Sequence, residues 1–199
     1  MIQKLETLIK GFREKLFKQE IRLKDEMGNN FPKWSQKKLG AISKKKSSNI
    51  SANKIENNYG EYVLYGASGV LKNVDFYEEE NNYISIVKDG AGVGRLFYCE
   101  SKSSVLGTMD IIKPQPNINT YFLFCLLSTF NFIKYVTGST IPHIYFKDYK
   151  NETCFVPCIK EQNKIASFHL LLDEKLQVEK TILKHLTDQK QYLLQQLFI

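Results

Sequence analysis

Apolar residues recur at both ends of the chain with the alternating three-and-four spacing of a helix seam, whereas in the middle they fall into short stretches divided by turns. Ile2, Leu5, Ile9, Phe12 and Leu16 form the first seam, which predicts a helix that meets a partner along one narrow face. Ile21 and Leu23 extend the pattern less regularly. An end is predicted near Met27, because Gly28-Asn29-Asn30 is turn chemistry and Pro32 follows.

The second seam is longer. Leu172, Leu176, Leu183, Leu186, Leu193 and Leu197 share one four-and-three stripe, with Glu179 and Lys190 as its polar members. The spacing predicts a helix of about 35 residues from Glu161 onward, about 50 Å long at the usual rise per residue. One small domain cannot hide such a helix, so the stripe needs a partner. At one constant offset, Leu183, Leu186, Leu193, Leu197 and Phe198 superimpose on Ile2, Leu5, Phe12, Leu16 and Phe17. This alignment fits one period of a longer helix, domain, helix, domain architecture, and it also fits two unrelated amphipathic helices.

Between the helices, strands are predicted at Tyr59–Leu64, Tyr83–Val87, Arg95–Cys99 and Val105–Ile112, with further candidates at His143–Phe146 and Cys154–Val156. Asn119 to about Val136 reads as the one long helix of this region. The mixture predicts an α+β fold with strands too irregularly spaced for repeating βαβ units. The expected division is an N-terminal coiled-coil helix over 1–27, one globular domain over 28–158 and a C-terminal coiled-coil helix over 159–199, the two helices packing antiparallel.

The 199 residues suffice for one ordinary domain with helical arms. The longest apolar run, Thr120 to Ile133, is too short to cross a bilayer, so no membrane association is expected. The N-terminus mixes acids with bases and lacks a signal-peptide pattern, which places the chain in the cytoplasm as an expectation. Net charge is +7, of which +4 comes from the 15 basic and 11 acidic residues of 31–158. A basic surface favours polyanions, though an excess of this size is common elsewhere. Cys99, Cys125, Cys154 and Cys158 lie in apolar surroundings with poor zinc spacing, which predicts reduced structural thiols and no metal.

Gly90, Gly92 and Gly94 follow a strand, but strand-like residues come next and no Walker lysine pattern is present, so a tight turn is expected in place of a nucleotide loop. Asp148-Tyr149-Lys150 and Asp173-Glu174-Lys175 offer the short D-x-K pattern of nucleases, yet the first has no obvious upstream carboxylate partner and the second lies on the coiled coil, where charges are normally a solvated face. A methyltransferase would need a glycine-rich cofactor loop and an N-P-P-Y or D-P-P-Y type motif, and neither occurs. With His143, His169 and His185 as the only histidines, a Ser-His-Asp or Cys-His engine is unsupported. The sequence thus reads as a binding module without catalysis.

Candidate DNA contacts are polar and basic loops. Lys44, Lys45 and Lys46 suit phosphate clamping, and Lys88, Arg95 and Lys147 suit phosphates or guanines. Ser68, Ser139, Thr140 and His143 carry groups that reach base edges or sugars. For each loop alone, an ordinary solvated turn is the competing reading.

Three stretches then carry a family resemblance: KQEIRLKDEMGNNFPKWSQKKL from Lys18, YVLYGASGVLKN with YISIVKDGAGVGRLFYC and SVLGTMDIIKP, and GSTIPHIYFKDYK followed by VPCIKEQNKIASFHLLLDEKL. In this order they resemble the distal half of a type I restriction-modification specificity subunit. The resemblance implies a target-recognition domain that reads double-stranded DNA, with modification subunits docked on the helices and restriction subunits joining the complex. S-adenosylmethionine, ATP and Mg are then expected on those partners only, with no cofactor on this chain. Such subunits carry two recognition domains and this chain has one, which fits a fragment or a switched gene product and equally a half-subunit; for the latter a homodimer is expected, held by Leu5, Ile9, Phe12, Leu16, Leu172, Leu176, Leu183, Leu186, Leu193 and Leu197. A coiled-coil interaction adaptor without DNA binding is the rival reading.

Overall fold

A computed structural model describes residues 2–197, except the side chain of Leu197. It is built around a short buried strand, β5 (Tyr83–Val87), at the centre of a four-stranded sheet. All five β5 residues are buried, because both faces of this strand are covered. Ile84 and Ile86 point to one side and Tyr83, Ser85 and Val87 to the other, as the two-residue period of a strand dictates.

The sheet runs in the order β2 (Ser43–Ser47), β8 (Met109–Pro114), β5 and β6 (Leu96–Cys99), every pair antiparallel. On one face, Ile84, Ile86 and Ile112 join the largest core cluster with Phe122, Leu123 and Leu126 of α3 (Thr120–Leu127). On the other, Tyr83, Val87, Cys99, Met109 and Ile111 pack with Tyr65 and Val105. Those two residues belong to a three-stranded sheet of β4 (Gly69–Val74), β3 (Tyr62–Gly66) and β7 (Ser103–Val105). The domain therefore has three layers, helix, sheet and sheet, and is α+β as expected. Its ends meet where β1 (Ser35–Lys38) pairs antiparallel with β9 (Thr153–Val156).

Several expected boundaries move. Strands β1 and β2 read SQKK and SKKKS and have no apolar alternation; each pairs through its backbone at the edge of a sheet, with all of β1 and the three lysines of β2 exposed. Tyr59–Leu64 begins later, and Val105–Ile112 splits into β7 and β8 around a turn. His143–Phe146 makes isolated bridges only, at His143, and Phe146 opens a one-turn helix, α4 (Phe146–Tyr149). A second one-turn helix, α2 (Leu39–Ile42), joins β1 to β2.

The long helix expected from Asn119 to Val136 stops at Leu127. Asn119 caps its start by accepting from the Phe122 N–H at 3.0 Å. Past Leu127, Thr129 Oγ1 donates to the Leu126 carbonyl and Asn131 Oδ1 accepts from the Ile133 N–H. These local side-chain bonds favour a turn and a short 3-10 segment over a continued helix.

Helix α1 (Ile2–Phe17) is also shorter than expected. Gln19 adopts φ +60°, and the chain leaves helical geometry ten residues before the Gly28 turn. Ile21 and Leu23 pack on the core from the non-helical connection. The turn chemistry beyond is present: Asp25 accepts from the N–H groups of Met27 and Asn29 at 2.9 and 2.7 Å. The Asn29 bond, with lesser help from Met27, holds the Asp25 carboxyl below the ordinary aspartate range despite some desolvation.

Helix α5 (Ile159–Leu197) spans 39 residues, about 58 Å. Its first turns bury Glu161, Gln162, Ile165, Ala166 and His169 in the domain. Every described residue from Thr181 to Gln196 is exposed. Helix α1 lies antiparallel on the near part of α5, for Glu6 meets Lys180 at 2.6 Å and Arg13 meets Asp173 at 3.1 Å. Ile9 and Leu16 are buried, whereas Leu5 and Phe12 are half-buried. Leu16 belongs to the domain core, so α1 is rooted in the globule at its C-terminal end. No described helix is long and apolar enough to cross a membrane.

Candidate nucleic-acid interface

The turn from Lys88 to Arg95 joins β5 to β6, which makes it a strand-to-strand turn as the glycine spacing predicts. Gly90, Gly92 and Gly94 all have φ between +82° and +88°, the left-handed region that costs a side chain energy. At Gly94 the constraint is double, because a Cβ there would come within 2.9 Å of Phe132.

This turn is bonded to a second loop, 137–144. The Gly90 N–H donates to the Pro142 carbonyl at 2.8 Å, and the Ile144 N–H donates to the Lys88 carbonyl at 2.9 Å. The second loop closes on itself through Thr137 and His143, each of whose N–H groups donates to the other's carbonyl. A third loop, the β3–β4 turn with Ser68, is tied to the first by Arg95 Nη1, which donates to the Ala67 carbonyl at 2.8 Å. Three loops far apart in sequence thus lie side by side on one rim. Ser68, Arg95, Ser139 and Thr140 are exposed there, and Lys88 and His143 are half-buried. Tyr145 extends the cluster: its ring meets His143 edge-on at 4.9 Å, and Lys147 Nζ lies 5.1 Å from its centre.

Of the lysine run of β2, Lys45 adjoins this rim. Lys45 and Lys88 lie 3.9 and 3.5 Å from Asp110, a carboxylate only 4% exposed that also accepts from Ser47 Oγ at 2.9 Å. On the other face of the sheet, Lys46 at 2.8 Å and Lys113 both pair with Glu79, itself 2% exposed. Burial pushes the Glu79 carboxyl up, but hydrogen bonds and charge from Lys113 and Lys46 outweigh it and leave the group below its ordinary range. Lys44 stands opposite Lys113 in the strand register and makes no ion pair among the described residues. Four lysines share two carboxylates and Lys44 pairs with neither, so this edge keeps an excess positive charge.

Lys113, Tyr145, Asp110 and Glu79 are the members that sequence reasoning missed. The sequence held one signal for them: Asp110 interrupts the apolar strand MDIIKP, and a buried acid there needs cations close by.

The residues expected to pair helices fall into two groups. Leu5, Ile9, Phe12 and Leu16 lie along α1, and Phe12 packs on Phe168 and His169 with ring centres 5.0 and 5.6 Å apart. Leu172 and Leu176 are half-buried, whereas Leu183, Leu186 and Leu193 are 54%, 58% and 52% exposed. The side chain of Leu197, and Phe198, lie outside the described residues. His169 is fully buried with neither ring nitrogen hydrogen-bonded. Burial first, and the Arg13 charge second, lower its pKa to about 4, with Asp173 opposing.

The two nuclease-like triplets have structural settings. Asp173 accepts from Arg13 and from the Tyr121 hydroxyl, and Asp148 is exposed on α4, whose Tyr149 ring is buried in the core. Among the described residues no three His, Cys, Asp or Glu side chains cluster as metal ligands. All four cysteines are free thiols. Burial pushes Cys99 and Cys154 up to about 11 and Cys125 up to about 12, which keeps them protonated and unreactive at neutral pH.

A layered α+β domain presenting three joined loops beside a lysine edge, with helices as arms, is the build of a binding module. Residues 32–188 match the type I restriction modification DNA specificity domain. The chain belongs to that family, and membership makes it a specificity domain and not a catalyst. Among solved structures, it is similar to the S subunit of a type I restriction-modification system from M. genitalium, with 22% identity and a TM-score of 0.76 over 100% of this chain and 55% of that one. A structure described as the basis of complex assembly and conformational transition of the type I R-M system gives a TM-score of 0.59 at 13% identity, over 96% of this chain and 53% of that one. The HsdS subunit from Thermoanaerobacter tengcongensis gives 0.57 at 13% identity, over 91% and 46%. The chain thus spans about half the length of each of these structures. No curated protein matches the sequence.

Proposed function

We propose that this chain is a half-subunit that reads one half-site of duplex DNA for a type I restriction-modification system and leaves the chemistry to other subunits. The observation that carries this reading is the joining of the three loops: Ser68, Lys88, Arg95, Ser139, Thr140, His143 and Lys147 gather at one rim, Lys45 adjoins it through Asp110, and Lys44 and Lys46 lie along the same edge strand facing the other side of the sheet. Lysines and Arg95 would hold phosphates and set the register, and the hydroxyls and imidazole would meet base edges. The globular reader corresponds to 28–158, with the helical segments at either end as arms.

Modification subunits would dock on the helices and restriction subunits would join them, with S-adenosylmethionine, ATP and Mg bound by those partners. A single reader of a few base pairs discriminates poorly among genomic sites. A homodimer through the leucine seams would supply two readers and impose a palindromic split target. Such a system operates in the cytoplasm.

A gel shift with random-sequence duplex, with and without a modification subunit, tests the reading. Enrichment of specific sequences in the complex is expected. No enrichment in either case would favour an interaction adaptor, and Mg-dependent cutting by the isolated chain would indicate a nuclease.

A further inference from the structure

We infer that the exposed stripe of α5 pairs with the same stripe of a second copy, antiparallel, about a two-fold axis passing between Lys184 and His185. The inference rests on the homodimer reading above and adds to it a register and a polar lock. Counted outward from that point, Leu183 and Leu186 are equidistant, as are Glu179 and Lys190, Leu176 and Leu193, and Leu172 and Leu197. The stripe is palindromic. In an antiparallel pair it would therefore lay leucine against leucine at three levels and, at the fourth, the acid against the base, twice per dimer. Each level also matches an a position of one heptad with a d position of the other, which is how antiparallel helices interdigitate.

Two further observations agree with this register. Leu183, Leu186 and Leu193 are each more than half exposed, and Ile182 and Leu194 beside them are exposed too. Glu179 and Lys190 make no ion pair among the described residues. Secondly, α1 leaves room for it. The pairs Glu6–Lys180 and Arg13–Asp173 step seven residues up one helix and seven down the other. Continued, that register brings Ile2 level with Lys184, so α1 covers only the half of α5 nearest the domain. Each end of the assembly would then hold three helices, α1 and α5 of one copy with the far half of α5 from the other. The far half carries the seam that aligns with α1, which gives the internal repeat a physical meaning: both segments serve as antiparallel partners of the same stretch of α5. A parallel dimer would instead set Glu179 against Glu179 and Lys190 against Lys190.

Sedimentation equilibrium on the chain, with Glu179→Lys, Lys190→Glu and the double variant, tests the register. The wild type is expected to dimerise, each single variant to weaken the dimer at least tenfold, and the double variant to recover it. Mixing the two single variants should yield a heterodimer, because both of its polar levels become oppositely charged. Lys190 lies on the projecting part of α5 and Glu179 is half-buried at the level of α1, so circular dichroism and a thermal melt on every variant separate loss of pairing from loss of fold. A dimer that ignores both single changes, or singles that fail to rescue one another, would overturn the register and leave the homodimer standing. A wild type that stays monomeric up to about 100 μM would overturn both, and the DNA-reading proposal would still be judged by sequence enrichment alone.

Discussion

The Arg13 guanidinium donates to the Asp173 carboxylate at 3.1 Å, across the contact between α1 and α5. The Tyr121 hydroxyl donates to the same oxygen at 2.6 Å from α3, so one carboxylate ties the arms to the domain. Removing it leaves a half-buried guanidinium and a phenol without partners, and such losses exceed the net worth of the bonds themselves. Asp173→Ala is expected to destabilise the chain by about 2 kcal/mol, read as a lower midpoint in chemical denaturation. Asp188→Ala, on the exposed part of α5, should leave the midpoint unchanged.

His169 makes the arm contact sensitive to acid. Its folded pKa of about 4 lies below the ordinary 6.5, so between these values the unfolded chain binds the proton and the folded one does not. Stability is therefore whole above pH 7 and falls as the pH drops toward 4. Relative to a His169→Leu variant, the wild type should lose about 2 kcal/mol between pH 7 and pH 5. Urea unfolding of both proteins at the two pH values checks this, and equal losses would remove His169 from the account.

The glycine turn offers a paired test. Gly90 and Gly94 share a left-handed backbone, but a Cβ at Gly90 meets nothing within 4 Å whereas one at Gly94 strikes Phe132. Gly90→Ala should cost about 1 kcal/mol. Gly94→Ala should cost distinctly more and shift the loop that carries Arg95. Thermal melts rank the two.

Individual lysines should differ in what they do to DNA binding. Lys44 has no ion-pair partner among the described residues, so Lys44→Ala should weaken all duplexes alike and reduce the salt slope by about one ion. Lys46 also neutralises buried Glu79 beside Lys113. Lys46→Ala should thus lower stability as well, and binding isotherms taken with melting curves separate the two effects.

How far the sequence foretold the structure depended on whether a side chain or a backbone made the decision. Helix α5 was legible because its leucines recur at helical spacing, and the central strand YISIV because burial on both faces selects a short apolar run. Edge strands SQKK and SKKKS were not, since hydrogen bonding to β9 and β8 places them regardless of side chain. Helix ends at Phe17 and Leu127 were overrun because hydrophobic residues such as Ile21 and Phe130 continue past them into packed, non-helical segments. The candidate site was legible as separate loops. That Arg95 reaches Ala67, and Gly90 reaches Pro142, follows from three-dimensional closure that no local pattern encodes.

The central claim, that these three joined loops read DNA sequence, is tested most directly by selecting duplexes from a random library with the chain bound to its modification subunit. Wild type, Arg95→Ala and Thr140→Ala should be compared. The account predicts one enriched motif for the wild type and relaxed preference at individual positions of it for the loop variants. No enriched motif, or the same motif unchanged in every loop variant, would contradict it.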